Sequence, residues 1–264
     1  MPKPGRNLIT LGPVEKRLIR QTKRSPICAA LIDPEDFSPR QARETAGRAI
    51  DAGASLILVG GSTLANQRQL DAVVRAIKGH SQSHRNHIGS QVPVVLFPGN
   101  ITGVSRFADA ILFSSLLNST NPYFIIGAQA LGSIEVYKSK IESIPMAYLV
   151  FGSSSATSFI GQVNSFPASR PSLAAIYALA AKYLGMRTLY LEAGSGAGEP
   201  IPAETIHAVK RVYDGLLIVG GGITTAETAK KAAKAGADIL VIGNLLQSAG
   251  FEKTLGQITA SIKP

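Results

Sequence analysis

Glu192 stands at the end of an apolar run, Thr188-Leu-Tyr-Leu191, and three glycines follow it in Ala193-Gly-Ser-Gly-Ala-Gly198. A strand interior would not place a charge there, and a plain turn would not use so many glycines. Glycine at this density lets backbone N–H groups come close to an anion. The pattern describes one acid beside a phosphate cradle. Two further glycine clusters repeat it, each after its own apolar run: Leu216-Leu-Ile-Val-Gly-Gly-Gly222 and Ile239-Leu-Val-Ile-Gly-Asn244. Asp33 closes another run, Ile27–Ile32, and precedes Pro34. It either caps a turn, as Asp-Pro often does, or holds Mg²⁺. That ion takes one or two protein oxygens and leaves the rest of its shell to water and substrate phosphate. The hydroxyl of Ser62, in Gly60-Gly-Ser-Thr63, would suit as a second oxygen.

Two other reactive residue types carry less. His80, His84 and His87 have a metal-like spacing, but Ser, Gln, Asn and Arg surround them with no cysteine or carboxylate. A solvated connector is the expected reading. The single cysteine, Cys28, lies inside an apolar run and reads as a buried strand thiol rather than a nucleophile.

The elements that hold these residues alternate along the whole chain. A short helix pattern over Val14–Thr22 comes first. Strands are expected over 27–32, 55–59, 92–97, 110–113, 147–151, 187–191, 216–219 and 239–242. Helices are expected over 39–52, 64–78, 122–140, 172–183, 202–212, 224–234 and 247–262, the fourth position with a break near Gly132. Ser38-Pro39 supplies an N-cap and first-turn pair. Strand three and strand four are separated by only a dozen residues, among them Pro98, Gly99 and Gly103. That is too short and broken for a connecting helix. The stretch 152–169 reads as a long Ser- and Gly-rich loop, of the length that is usually functional or mobile.

Uniformly apolar strands with intervening helices describe a (β/α)8 TIM-like barrel, its third helix missing or replaced by an irregular segment. No linker divides residues 1–264, so one domain is expected, of about the usual size for this fold. In such barrels chemistry sits at the carboxyl ends of the strands, and the loops after strands seven and eight commonly bind phosphate. Asn118 and Pro98–Asn100 fall at strand ends as well.

The formal charge of +10 admits nucleic acid, an anionic lipid surface or an anionic substrate. Aromatics make up 6%, with no basic run interleaved among them, which argues against nucleic acid. Peripheral contact with an anionic membrane surface is expected instead. There is no apolar run long enough to span a bilayer and no apolar segment after the basic start, so a cytoplasmic protein is expected.

Tyr190-Leu-Glu-Ala-Gly-Ser-Gly196, Gly220-Gly-Gly-Ile223 and Ile242-Gly-Asn244 resemble the geranylgeranylglyceryl phosphate synthase family. Leu31-Ile-Asp-Pro34, Val59-Gly-Gly-Ser-Thr63 and Asn121-Pro-Tyr-Phe-Ile-Ile-Gly127 match it too, so the likeness runs from about Ala30 to Gln247. A Pro-Gly turn that relatives tend to carry after strand five is replaced here by Phe151-Gly-Ser-Ser-Ser155. The resemblance implies a Mg²⁺-dependent prenyltransferase joining sn-glycerol 1-phosphate to geranylgeranyl diphosphate, with release of diphosphate. This is an ether-bond-forming step of archaeal lipid synthesis. It implies Asp33 and Ser62 as Mg²⁺ ligands. The glycerol-phosphate site would be Tyr190, Leu191, Glu192, Ala193, Gly194, Ser195, Gly196, Gly221, Gly222, Gly243 and Asn244, with Glu192 as general base. A homo-oligomer, dimer or hexamer, is expected. A heptaprenylglyceryl phosphate synthase, or a phosphosugar-type barrel isomerase using Asp33 and Glu192 as acid and base, are the alternative readings.

Overall fold

The structure, a computed structural model, describes residues 11–61, 66–83, 91–152, 155–194 and 196–263, with side chains up to residue 79 in the second of these segments. Eight parallel strands close on themselves in chain order. They are β1 (Ile27–Ile32), β2 (Leu56–Val59), β3 (Val94–Leu96), β4 (Ala110–Leu116), β5 (Glu142–Val150), β6 (Thr188–Glu192), β7 (Leu216–Gly220) and β8 (Ile239–Ile242). The helices are α1 (Pro13–Thr22), α2 (Pro39–Asp51), α3 (Gln67–Ser83), α4 (Ala128–Ser139), α5 (Ala156–Ile160), α6 (Pro171–Tyr183), α7 (Ala203–Lys210), α8 (Ala226–Lys234) and α9 (Phe251–Ser261).

The apolar strands are explained by two cores. Cys28, Ala30 and Ile32 face the helix ring, whereas Ile27 and Ala29 fill the barrel. Along β6 the same alternation sends Leu189 and Leu191 outward and Tyr190 inward. Both faces of each strand are therefore dry, and no polar–apolar alternation marks them. Local signals start the helices. Ser38 Oγ accepts from the Gln41 N–H, and the Gln41 side chain accepts from the Ser38 N–H, a reciprocal cap on α2.

Between β3 and β4 there is no α-helix, only a single 3-10 turn over Ile101–Gly103. The segment after β4 starts as a π-helical turn, Tyr123–Gly127, and α4 then runs unbroken through Gly132. The expected break therefore lies at residues 127–128, where the winding changes.

Two expectations need correction. The 152–169 loop contains α5, started by Ser155, whose Oγ accepts from the Ser158 N–H. Strand five begins at Glu142, five residues before its apolar core. The reason is tertiary. The Glu142 carboxylate accepts from the N–H groups of Val14 (2.7 Å) and Glu15 (2.8 Å), capping α1, which has no side-chain cap of its own. Thus secured, α1 covers the N-terminal end of the barrel with Val14 and Leu18. Glu15, 1% exposed, meets Arg187 through two bonds, Nε to Oε1 at 2.7 Å and Nη2 to Oε2 at 2.8 Å. Cys28 is buried, which pushes its thiol up to about 12, so it is an inert core residue.

Candidate functional site

The site lies at the carboxyl ends of the strands. Glu192 is the last residue of β6, in register with Val150 on β5 and Gly220 on β7. It is buried, and burial raises its carboxyl pKa. Hydrogen bonds from the Tyr190 hydroxyl and from the Gly194 N–H (2.7 Å) pull the other way without cancelling that rise. The carboxylate thus keeps fixed donors on one side and an open pocket on the other.

Beneath it three rings pack together. Phe97 stacks on Tyr190 at 5.2 Å and meets Tyr148 edge-on at 5.3 Å, and the two tyrosines lie 5.1 Å apart. Tyr190 also explains a glycine. A Cβ on Gly220 would come within 2.1 Å of its hydroxyl oxygen. Phe97 and Tyr148 were not foreseen in the sequence, because in a barrel the pocket-facing and core-facing members of a strand are chemically alike.

Beside Glu192 the backbone opens into a cradle. Gly221 and Gly222 both have positive φ, 81° and 69°, a conformation that side chains rarely adopt. A Cβ on Gly221 would come within 2.6 Å of Glu192 Oε1. The N–H groups of Gly221, Gly222 and Gly243 donate to no backbone carbonyl among the described residues. Successive free amides of this kind bind anions. Helix α8 starts just beyond, with Thr225 and Thr228 capping it reciprocally. Asn244 closes the cradle, its Nδ2 3.7 Å from where a Cβ on Gly196 would sit. Ala193 donates its N–H to Gly220 O, tying the two loops together. Leu191 turns its side chain to the helix-facing core, so only its backbone reaches this end. Ser195 and Ser62 lie outside the described residues, as do His84, His87 and the side chain of His80.

Across the mouth, Asp33 is half-buried, and burial raises its pKa despite the bond it accepts from the Glu35 N–H. Its Oδ2 lies against Gly61, where a Cβ would come within 2.1 Å. Asp36, three residues on, lines the same pocket and accepts from Gln247 Nε2 at 2.7 Å. It was missed in the sequence because it sits in a polar turn. Asn118, by contrast, donates to Val150 O at 2.8 Å and accepts from the Val150 N–H, so it clamps β5 rather than the site.

The pocket does not end at the mouth. It continues past Pro98 and Ile101 into the sector that has no third helix, over the outward side chains of Ile111 and Phe113 on β4. Phe124, Gly132 and Val136 form the opposite wall. Tyr123 braces the rim, donating its hydroxyl to Asn100 Oδ1 at 2.6 Å and packing edge-on against Phe124. One cavity therefore joins a desolvated carboxylate, the Gly243–Asn244 edge of the cradle and a long apolar groove.

Known proteins are similar to this chain along most of its length. The sequence profile of the PcrB family matches residues 20–262. The geranylgeranylglyceryl phosphate synthase of Thermococcus kodakarensis is 49% identical over 92% of this chain and 93% of its own length. That of Cenarchaeum symbiosum is 47% identical over 96% and 99%. Among solved structures, (S)-3-O-geranylgeranylglyceryl phosphate synthase of Thermoplasma acidophilum, in complex with its substrate sn-glycerol-1-phosphate, is 37% identical. It superposes with a TM-score of 0.89, covering 96% of this chain and 99% of that one.

Proposed function

The chain belongs to the PcrB family, and we propose that it joins sn-glycerol 1-phosphate to geranylgeranyl diphosphate, forming geranylgeranylglyceryl phosphate and diphosphate. The observation that supports this reading is the one cavity in which the Gly243–Asn244 edge of the cradle and the Glu192 carboxylate open onto an apolar groove. A phosphosugar isomerase has use for the first two but none for the third.

The chemistry follows from the placement of the groups. The phosphate of the glycerol substrate lies on the free amides of Gly221, Gly222 and Gly243, and its hydroxyl reaches Glu192. Glu192, held by Tyr190 and Gly194, accepts the proton as the C–O bond forms. The allylic carbon gains positive charge as its bond to diphosphate breaks. The faces of Tyr148 and Phe97 are placed to meet that charge. Asp33 and Asp36, side by side at the mouth, fit a Mg²⁺ site, since that ion needs few protein oxygens when substrate phosphates complete its shell. An ion held there would supply the positive charge that offsets the leaving diphosphate.

Pure protein is to be incubated with labelled sn-glycerol 1-phosphate, Mg²⁺ and prenyl diphosphates of several lengths. Label passing into an organic-soluble phosphate ester supports the reading, and its absence with every donor rejects it. Excess chelator and Asp33→Asn should each abolish most of the turnover. Full activity in both would remove the metal from the mechanism.

The prenyl tail lies in the sector without a third helix. Each CH₂ left in water forfeits about 0.8 kcal/mol, so a 20-carbon chain needs this cover. Gly132 leaves room for a larger side chain, since a Cβ there would lie 3.9 Å from Ile101. Ile101→Trp and Gly132→Phe should shift preference to shorter donors, with KM for glycerol phosphate within about twofold. An unchanged chain-length profile in both variants would place the tail elsewhere.

The assembly is a homo-oligomer. Ile126, Leu131, Ile134 and Tyr137 around α4, and Ile176, Tyr183 and Leu184 around α6, are all more than half exposed. Large exposed apolar side chains gathered on a helix mark an association face, and a second copy is its occupant. Ile134→Asp with Ile176→Asp should sediment as a monomer at the wild-type melting temperature. An unchanged sedimentation mass would clear these helices of that role.

A further inference from the structure

A second cavity opens at the opposite end of the barrel from Glu192. It lies between the C-terminal half of α1, the first residues of β1, the residues just before β2, and the end of α9. Among the described residues four cationic side chains line it, Arg17, Arg20, Arg24 and Lys263, and no acidic one does. Among the described residues Arg20, Arg24 and Lys263 take part in no ion pair. Burial lowers the pKa of Arg17, the nearby Asp109 carboxylate offsets part of that, and the neighbouring charge of Arg20 lowers it again. One cation at the end of α1 would offset that helix's dipole. Arg20, Arg24 and Lys263 converging on one cavity exceed that need, and with no anion they repel one another.

The neutral lining has the same character. Ser25 and Ser55 bring hydroxyl groups to the cavity. Gln21 lines it too, and its Oε1 is buried without a hydrogen-bond partner among the described residues. A half-turn of that amide would present its NH₂ group to an acceptor instead. Pro26, Ile27 and Ile262 form an apolar floor. Convergent donors over a dry floor describe a concave site for an anionic group rather than a solvated basic face.

We propose that this cavity is a second binding site for a phosphate group, separate from the catalytic end of the barrel. The group comes either from a free anion, such as inorganic diphosphate, or from the headgroup of an anionic lipid. The proposal stands apart from the reaction assigned above, because no residue of the cavity takes part in it.

The test compares three proteins at one ionic strength: wild type, Arg20→Gln/Arg24→Gln, and Arg43→Gln/Lys230→Gln. The first double variant alters the cavity. The second removes the same charge from α2 and α8. All four side chains are exposed, so folding is not at stake. Each protein is titrated calorimetrically with inorganic diphosphate, and sedimented with vesicles of phosphatidylglycerol and phosphatidylcholine in equal parts. The cavity variant should lose roughly 10- to 30-fold in affinity for at least one ligand, while the charge control and the turnover rate stay at wild-type values. Loss with diphosphate identifies a free anion, and loss only with vesicles identifies a headgroup. Equal weakening of both double variants, or no weakening of the cavity variant with either ligand, would overturn the proposal.

Discussion

Glu192→Gln is expected to lower kcat by about 10²–10⁴-fold, the usual contribution of a general base, while affinity for sn-glycerol 1-phosphate stays within a few-fold. The amide keeps the size of the carboxylate and can still accept from the Gly194 N–H, so the cradle should hold its shape. What it lacks is the basic oxygen aimed at the substrate hydroxyl. The same variant should gain stability. Burial raises the Glu192 pKa above the ordinary value of 4.5, so the folded protein holds this proton more tightly than the unfolded chain does. The stability that follows is present below the unfolded value and is lost as pH rises through the folded one. At neutral pH the wild type therefore carries a destabilising charge that glutamine does not. The variant should melt at the higher temperature at pH 7, with the gap closing as pH falls toward 4.5. Near-normal kcat would take Glu192 out of the reaction, and a lower melting temperature at pH 7 would contradict its electrostatic description.

Arg187→Ala is expected to destabilise the protein by about 3 kcal/mol, the low end for breaking a buried pair, since Arg187 itself is 27% exposed on its side chain. Glu15, on the buried face of α1, would lose both of its guanidinium bonds. Denaturant unfolding should read the loss as a lower midpoint at unchanged slope. Replacing both partners, Glu15→Leu with Arg187→Met, should recover most of it, because the penalty comes from the unpaired charge. A loss under about 1 kcal/mol in the single variant would show that water reaches Glu15. Activity per folded molecule should not change, as the pair lies at the far end of the barrel from the site.

The sequence made the catalytic end legible because its signals are local. Glu192 and its glycines are neighbours in the chain, and the absent helix follows from one short interval between two strands. The parts that stayed hidden depend on distant partners. Glu142 and Pro145 do not look like strand residues until the amides of α1 are seen on that carboxylate. Tyr148 is one apolar residue among several in β5, and only the barrel's register turns it toward Phe97 and Tyr190. Helix α5 is five residues long, too short for any periodicity to announce it. The basic cavity gathers residues from both ends of the chain, from Arg17 to Lys263.

The anchoring of α1 bears on the order in which the chain can fold. Its cap is 127 and 128 residues downstream, at Glu142, and its ionic partner is 172 residues downstream, at Arg187. During synthesis α1 must wait, amphipathic and unsecured, until the chain has been made as far as Arg187. Contacts of such long sequence separation slow folding, and an apolar face left open meanwhile is a route to aggregation. Helix α1 is thus made early and secured only once Arg187 has followed, while the barrel itself closes later still, when β8 pairs with β1.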